Sequence, residues 1–441
     1  MTTSSQSRQV FFKASLVAVS VATVSMAHSA GFSLNDHSAT ASGTALAGAA
    51  ASGADISFSY WNPALFTNAT ETSFYGSAAY ISPDMETTVN SATDATPTAA
   101  GGAKDLSSAG VTQDSVESSV VPSLYFAKPI NDKTVAGISL NVPYGLSGDY
   151  GDDWAGRFHA TETSIEDIAL SFSLAHRMND KVSVGASVQL HQADVVLGSA
   201  VGFTGREGTG RIEADATGTG YSLGVLFEPV DGTRIGLGYR SKVEFDFAGD
   251  VTYKDVSTLN ATLTAFGQPN LVNTTVTDSL TFPDIITLSL DQELTKKLTL
   301  GLTAMRTGWG SMDELRLDFD SDQSDSVLTF NFEDQWFYSA GLTYEHSDKL
   351  TLRTGIAMDN SPVTDEYRSA RTPDGDRKWL SFGGTYSFND MTSATFAYTR
   401  VSVDDVTVNR SSNSDDTARG NLNADYKTSA DVFSLAVNTT F

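Results

Sequence analysis

Cysteine is absent from the 441 residues of this chain, and proline is scarce, with 11 residues. The lack of cysteine excludes disulfide bonds, thiolate metal sites and a cysteine nucleophile. Positive charge is also in short supply, because 28 Lys and Arg stand against 53 Asp and Glu, for a formal net charge of −25. Nucleic-acid binding depends on clustered cations that neutralise phosphates. The acidic excess therefore argues against a nucleic-acid partner.

Long apolar runs are missing as well. After residue 30, no stretch contains the roughly eighteen consecutive apolar residues that a transmembrane helix requires. A chain without such a helix can cross a membrane only as a closed β-barrel, because unpaired backbone groups are too costly in hydrocarbon. Glycine is plentiful at 36 residues, and aromatic residues make up 10% of the chain. This composition favours one large barrel over several soluble domains.

The first thirty residues differ from the rest of the chain. Arg8 and Lys13 give a basic start, an apolar run follows at 11–27, and Ala-His-Ser at 27–29 suits cleavage. The core of the apolar run is too short to span a bilayer as a helix. We predict a secretory signal peptide at residues 1–29, which excludes a cytoplasmic function.

Apolar residues alternate with polar or small residues from residue 72 onward. In the final segment, Phe433, Leu435 and Val437 fall on one face of a strand. Ser434 and Ala436 fall on the other face. The same period of two recurs in three other segments, at 182–190, 350–358 and 380–388. One face suits lipid and the other suits a polar lumen, which is the pattern of a transmembrane strand.

Short turns alternate with long polar stretches along the chain. The predicted turns are Pro129–Lys133, Met178–Asp180, Pro229–Thr233, Leu294–Lys296, Ser347–Asp348 and Asn389–Asp390. The predicted loops are 82–119, 144–164, 196–215, 248–281, 311–333, 360–376 and 403–429. These connections join fourteen strands, and the even number puts both termini on the periplasmic side. The prediction is an all-β fold, a 14-stranded antiparallel transmembrane β-barrel at residues 71–441.

The segment at 30–70 is rich in small residues and lacks strand alternation. A barrel of fourteen strands has more interior than its own side chains fill. We therefore predict that this segment folds inside the lumen as an N-terminal hatch, or plug. The alternative is a disordered tail, but Phe32, Leu34 and Trp61 are among several residues that are too apolar for one.

Two motifs imitate catalytic or metal sites without the context that such sites need. Residues 220–224 match the G-x-S-x-G pattern of hydrolases, yet the alternation continues through them and no helix follows. Asp318, Asp320 and Asp322 imitate the start of a calcium loop. The sixth position of that loop is Gln323 instead of the required Gly. Weak divalent-ion binding by this acidic loop is an alternative to a solvated loop, but we predict no enzymatic activity, metal site or cofactor.

Several blocks of the sequence resemble the long-chain fatty acid transporters of the outer membrane, a family that also includes channels for aromatic hydrocarbons. The blocks are Ala30–Asn35, Gly43–Gly48, Asn62–Leu65, Pro143–Leu146, Trp154–Phe158, Leu315-Arg316 after Trp309, and Leu350–Ser381. They cover essentially the whole chain after the signal peptide. The resemblance implies an outer-membrane barrel of fourteen strands with an N-terminal hatch, in agreement with the strand count.

The resemblance also implies a route for the ligand. Extracellular loops capture it, a pocket in the lumen receives it, and it leaves sideways through a gap in the wall at the third strand. That strand is roughly 134–143 here, and Asn141, Pro143 and Gly145 lie at its end. Proline cannot donate a hydrogen bond to the sheet, and glycine weakens a strand. We expect the lateral exit at these residues; the alternative is that Pro143 merely ends a strand.

Asn62, Pro63 and Ala64 are interpreted as a turn of the hatch near the exit gap. Asn tolerates unusual backbone angles, and Pro fixes a turn. The alternative is an ordinary tight turn that leads into the first strand.

The candidate ligand-binding residues are Phe32, Trp154, Arg157 and Phe158. Arg157 combines a fixed positive charge with aromatic neighbours. Its alternative role is an exposed ion pair with Asp152, Asp153 or Glu162. We predict passive uptake of hydrophobic molecules, long-chain fatty acids first and aromatic or alkane hydrocarbons second. The predicted partners are this ligand and the lipid and lipopolysaccharide around a monomeric barrel; the competing class is an adhesin, a phage receptor or a porin for polar solutes.

Overall fold

The computed structural model describes residues 31–96, 101–109, 115–411 and 419–441. The predicted signal peptide at residues 1–29 lies outside the described residues. The strands of the described ranges are β1 (Ser73–Ala92), β2 (Ser119–Asn131), β3 (Thr134–Asp149), β4 (Glu162–Asn179), β5 (Val182–Phe203), β6 (Arg206–Val230), β7 (Thr233–Arg240), β8 (Val243–Lys254), β9 (Thr274–Phe282), β10 (Ile285–Thr295), β11 (Leu298–Thr307), β12 (Glu314–Phe319), β13 (Ser326–Thr329), β14 (Gln335–Ser347), β15 (Leu350–Asp359), β16 (Arg377–Ser387), β17 (Thr392–Val403), β18 (Val406–Asn409) and β19 (Leu422–Thr440).

Fourteen of these strands form a closed antiparallel barrel. Going around the wall, each strand pairs with the next in the order β1–β2–β3–β4–β5–β6–β7–β10–β11–β14–β15–β16–β17–β19. Strand β19 returns to β1, with Ser73 opposite Thr440, and closes the wall. The predicted barrel of fourteen antiparallel strands is confirmed. Within the described ranges, no helix is both long and apolar enough to cross a lipid bilayer.

The connections at the two ends of the barrel differ in length, as predicted. Short connections of a few residues follow β2, β4, β6, β10, β14 and β16. The long connections at the other end contain β8, β9, β12, β13 and β18, which lie outside the closed ring. Residues 196–215, predicted as a loop, instead form a β-hairpin, because β5 and β6 remain paired up to Phe203 and Arg206. Glycine and polar residues interrupt the alternation of this hairpin, so no continuous apolar face marks it as a pair of strands.

Large apolar side chains cover the outside of the wall. Phe433, Leu435 and Val437 point outward and are 41%, 62% and 49% exposed. Ser434 and Ala436 point inward and are only 2% and 5% exposed. A continuous apolar belt of this kind is the lipid-facing surface of a membrane barrel.

Residues 31–69 lie inside the barrel as a series of short helical turns. These are Ala39–Ser42, Ile56–Tyr60 and Pro63–Asn68. Ser38, Asp55 and Asn62 precede them, and each side chain accepts a hydrogen bond from a backbone N–H two or three residues ahead. Such caps satisfy N–H groups that have no partner at the start of a helix. These caps stabilise very short helices inside the barrel.

Glycines on the inward faces of the strands allow this segment to pack its backbone against the wall. At Gly185 on β5, an added Cβ would overlap the backbone of Pro63. At Gly383 on β16, it would lie 2.8 Å from the Cα of Gly43. Strands β5 and β16 are seven positions apart in the ring of fourteen. The segment therefore reaches from one side of the lumen to the other.

Candidate functional site

An apolar crevice lies inside the barrel, between the N-terminal segment and the long connections. It contains about 700 Å³ of empty volume, which includes space open to solvent. Its lining is mostly aliphatic and aromatic and includes Ile165, Val195, Ile212, Leu280, Met312 and Phe330. A crevice with this lining suits an apolar ligand, since such pockets bind mainly through buried apolar surface.

Phe32, predicted as a ligand contact, forms one wall of the crevice. Its ring meets Tyr144, Phe282 and Trp309 edge to face, with centroids 5.9, 5.3 and 4.7 Å away. Aromatic pairs favour this geometry. The N-terminal segment thus contributes directly to the lining of the crevice.

A second, larger cavity forms a groove among the long connections. It contains about 1,920 Å³ of empty volume, part of which is open to solvent. Phe158, predicted as a ligand contact, lines this groove beside Phe203 and Tyr253. The groove and the crevice share six lining residues, which are Leu197, Ile212, Leu315, Leu317, Leu328 and Arg371. The two cavities therefore adjoin.

Trp154 and Arg157 line neither cavity. Trp154 is buried, stacks on Tyr150 with ring centroids 4.3 Å apart, and donates its Nε1–H to the carbonyl oxygen of Ala160. Arg157 forms a bidentate pair with Glu207, through Nε at 2.9 Å and Nη2 at 3.0 Å. An ion pair was one of its predicted roles, but its partner is Glu207 and not one of the acidic residues suggested by sequence proximity. Its charge is neutralised within the protein.

Arg371, which the sequence analysis missed, lies where the crevice and the groove meet. Nη1 donates to the hydroxyl of Thr163 and the carbonyl of Glu162, and Nη2 donates to the carbonyl of Gly198. No carboxylate of the described residues forms an ion pair with it. Burial, and secondarily the charge of Arg419, lowers the pKa of Arg371 to about 9. The guanidinium is still protonated at neutral pH, so a cation without an acidic partner among the described residues faces the two cavities.

The pairing of β3 is broken near its middle, at the predicted exit. Its pairing with β2 ends at Leu140. Its pairing with β4 shifts between Asn141 and Tyr144, so that Val142 and Pro143 face one residue, Ile168. Two residues opposite one define a β-bulge. From Asn141 onward, β3 therefore has a wall neighbour on one side only.

The N-terminal segment bonds to this broken part of β3. Leu34 donates its backbone N–H to the carbonyl of Pro143 at 2.8 Å, and Gly145 donates to the carbonyl of Phe32 at 2.8 Å. The side chain of Asn141 donates to the hydroxyl of Tyr125, which donates in turn to the carbonyl of His37. The structure thus brings the predicted residues Phe32, Asn141, Pro143 and Gly145 together.

Asn62, Pro63 and Ala64 lie elsewhere in the lumen. The amide of Asn62 donates to the carbonyls of Ala50 and Val225, at 2.7 and 3.0 Å. Pro63 and Ala64 pack against Gly185. These three residues form a tight helix start against β5 and β6, and the structure does not bring them to the bulge of β3.

The motifs that imitate other chemistries have structural roles. Residues 220–224 are a continuous part of β6, so the serine has no exposed elbow. Among the residues that the structure describes, no group of three or more His, Asp or Glu is placed to hold a metal ion.

Comparison with known proteins is consistent with this geometry. The chain is 32% identical over 415 residues to the long-chain fatty acid transport protein of Escherichia coli O6:H1, covering 88% of this chain and 90% of that one. It is 28% identical over 404 residues to outer membrane protein P1 of Haemophilus influenzae, covering 84% and 86%.

Solved structures share the fold. A Pseudomonas aeruginosa FadL homologue matches with a TM-score of 0.84 and 24% identity, over 93% of this chain and all of that one. The Pseudomonas putida toluene transporter TodX matches with a TM-score of 0.66 and 18% identity, over 93% and 99%. The sequence profile of the family described as outer membrane protein transport protein (OMPP1/FadL/TodX) matches residues 19–441. Because that match extends over nearly its whole length, the chain belongs to this family of outer-membrane transport proteins.

Proposed function

We propose that this chain mediates passive uptake of hydrophobic molecules across the outer membrane, with long-chain fatty acids as the principal ligands. The continuity of the apolar route carries the proposal. The loop groove adjoins the crevice, and the crevice ends at Phe32, next to the broken pairing of β3. The similarity to proteins named long-chain fatty acid transport protein supports the same ligand class.

The crevice supplies affinity for an alkyl chain without any chemical step. Each buried methylene contributes about 0.8 kcal/mol, so a chain of many methylenes can transfer from the groove into the crevice on burial alone. The polar lipopolysaccharide layer opposes the entry of such a molecule, and the groove offers apolar surface among the long connections, which are assigned to the exterior.

Arg371 favours a carboxylate at one end of the ligand. Its hydrogen bonds go to neutral oxygens of Glu162, Thr163 and Gly198, which leaves its positive charge without a counter-ion among the described residues. A fatty acid whose carboxylate reached Arg371 could extend its alkyl chain into the crevice. A toluene-like hydrocarbon would use the crevice and gain nothing from Arg371.

The bulge in β3 provides the proposed lateral exit. Backbone groups beyond Leu140 have no β2 partner, and part of that edge is bonded instead to Phe32 and Leu34. Displacement of these residues by the ligand would open the edge toward the lipid. The extra residue of the bulge keeps this edge out of a regular register and so prevents it from restoring the sheet.

Residues 31–69 act as the hatch in this proposal. Their contacts with Gly185 and Gly383, on opposite sides of the ring, support closure of the lumen to polar solutes. An open porin requires an unobstructed lumen, so the porin alternative is disfavoured. The short connections and both termini are assigned to the periplasm, and the long connections to the exterior. The apolar belt contacts lipid and lipopolysaccharide around a single barrel.

Uptake of labelled oleate and of toluene, by cells with and without the protein, tests the proposal. We expect the protein to accelerate oleate uptake several-fold. Acceleration of toluene alone would assign the chain to hydrocarbon uptake, a second candidate that the apolar lining of the crevice also fits. Acceleration of neither would reject the transport function.

A further inference from the structure

A small cavity lies between the N-terminal segment and the wall, separate from the crevice and the groove. It is small, with room for about one water-sized group. The N-terminal segment contributes Asn35, Tyr60 and Trp61 to its lining. The wall contributes Arg240 and Thr287, together with two apolar residues. Polar groups from two separate parts of the chain therefore surround one enclosed space.

Arg240 is a buried cation that forms no ion pair with the described residues. It is only 7% exposed. Its guanidinium lies 4.2 Å from the ring centroid of Tyr60, and its Nη2 donates to the carbonyl of Tyr60 at 3.2 Å. Its Nη1 has no acceptor among the described residues, and none of their carboxylates forms an ion pair with it. Asp167 on β4 pairs instead with His191, at 2.9 Å.

Trp61 brings a second unsatisfied donor to the same cavity. It is 5% exposed, and its Nε1–H finds no acceptor in the described part of the chain. Buried N–H groups are nearly always hydrogen-bonded, and an orphan points to a bound ion or water. An unpaired buried charge is costlier than an unpaired neutral group. A water molecule would satisfy both donors but would leave the charge of Arg240 unmatched.

We propose that this cavity binds a compact monovalent anion, either a halide or a carboxylate group. Arg240 Nη1 and Trp61 Nε1 would donate to it, and Asn35 and Thr287 supply further polar groups. The small volume and the single positive charge disfavour phosphate and sulfate. Because Trp61 belongs to the N-terminal segment and Arg240 to β7, the bound anion would fasten that segment to the wall. This inference concerns anion binding and does not depend on which ligand is transported.

Crystals of the full chain grown with bromide in place of chloride provide the test. We expect an anomalous bromine peak within hydrogen-bond distance of Arg240 Nη1 and Trp61 Nε1. Halide-free crystals with acetate, and others with oleate, separate the two sources of the anion. Carboxylate density at this point in either crystal identifies a carboxylate site. A peak that scatters as water in the bromide crystals, with no carboxylate in the others, would overturn the proposal.

Two variants test whether Arg240 and Trp61 donate hydrogen bonds to the anion. Trp61→Phe keeps an aromatic ring and removes the N–H, and Arg240→Met removes the charge. Arg234→Met is the matched control, because Arg234 also bonds to the N-terminal segment, through the carbonyl of Ala51, but lies outside this cavity. We expect the bromine peak to be lost in the first two variants and retained in the control. If Arg240→Met fails to fold, the Trp61→Phe variant alone tests the site. An unchanged bromine peak in crystals of Trp61→Phe would contradict the proposed pair of donors.

Discussion

Gly145 donates its backbone N–H to the carbonyl oxygen of Phe32 at 2.8 Å. This bond joins the aromatic wall of the ligand crevice to the strand whose pairing with its neighbour is broken. A ligand that displaced the ring of Phe32 would act directly on a bond at the edge of β3. One short stretch of backbone therefore links the lining of the crevice to the hydrogen bonding at the edge of β3.

Deletion of Pro143 should close the proposed exit. Val142 and Pro143 face a single residue, Ile168, so removing one residue restores a regular register. Asn141 and Tyr144 both point inward, and the deletion leaves them two positions apart, as a regular strand requires. We expect oleate uptake to fall by about tenfold or more, while the barrel still folds, as judged by its heat-modifiable electrophoretic mobility.

Pro143→Ala is the control for that deletion, because it keeps the number of residues in the bulge. We expect uptake by this variant to stay near the native rate. Native uptake by the deletion variant would show that the ligand does not leave at β3.

Replacement of Gly383 by valine should disturb the seating of residues 31–69. A Cβ at Gly383 would lie 2.8 Å from the backbone of Gly43, whereas one at the adjacent Gly384 meets only ordinary contacts at 3.5 Å and beyond. We expect Gly383→Val to raise single-channel conductance in planar bilayers, and Gly384→Val to leave it unchanged. Equal conductance in the two variants would mean that the segment does not close the lumen.

Arg371→Met should weaken the binding of fatty acids more than that of hydrocarbons. A hydrogen bond to a charged group contributes about 1.5–3 kcal/mol, so the affinity for oleate should fall roughly tenfold to a hundredfold. Toluene uptake should change little. Arg157→Met is the matched control, because Arg157 is neutralised by Glu207. If both variants lose oleate affinity equally, Arg371 has no special role.

Protonation of His159 in acid should destabilise the buried core of the long connections. Burial and, after it, nearby arginines lower the pKa of His159 to about 3, from an ordinary value of 6.5. Between pH 3 and 6.5, His159 binds a proton in the unfolded segment but stays neutral in the folded one. The contribution of neutral His159 to the free energy of unfolding is therefore fully present above pH 6.5 and is lost as the pH falls toward 3. At about pH 4.5 the free energy of unfolding is lower by roughly 2–3 kcal/mol than above pH 6.5.

Hydrogen–deuterium exchange, corrected for its intrinsic pH dependence, measures this loosening. We expect amides around His159 to lose protection in acid, and His159→Gln to remove most of that change. His346→Gln is the control, since His346 is exposed near a short connection. Protection that is independent of pH in the native chain would refute the prediction.

The barrel could be predicted from the sequence because lipid imposes a strict rule on it. A strand such as β19 must present Phe433, Leu435 and Val437 to hydrocarbon, and that requirement is visible as a period of two. Outside the lipid the rule no longer applies. The hairpin of β5 and β6 continues through 196–215, where glycine and polar residues interrupt the alternation, so the sequence pattern predicts a loop there.

The candidate site was predictable only where a residue type limits the backbone. Pro143 marked the bulge of β3, since proline cannot complete a ladder. The roles of the two arginines could not be read in this way. Arg157 is paired with Glu207, fifty residues away in sequence, while Arg371 has several acidic residues nearby in sequence and no ion pair with the described ones. Long-range contacts of this kind leave no periodic signal.

A reversible cross-link between Ser33 and Tyr144 tests most directly whether the ligand route opens at β3. These residues form an isolated antiparallel bridge, flanked by the bonds of Leu34 to Pro143 and of Gly145 to Phe32. In such a pair the Cα atoms lie about 4.5 Å apart, within the range of a disulfide. The chain has no cysteine, so Ser33→Cys with Tyr144→Cys would give one defined bond.

Oleate uptake by cells carrying this double variant is measured before and after reduction, with each single variant as a control. We predict that the oxidised protein blocks uptake and that reduction restores it. Equal uptake in the oxidised and reduced states would contradict a route that requires the N-terminal segment to separate from β3.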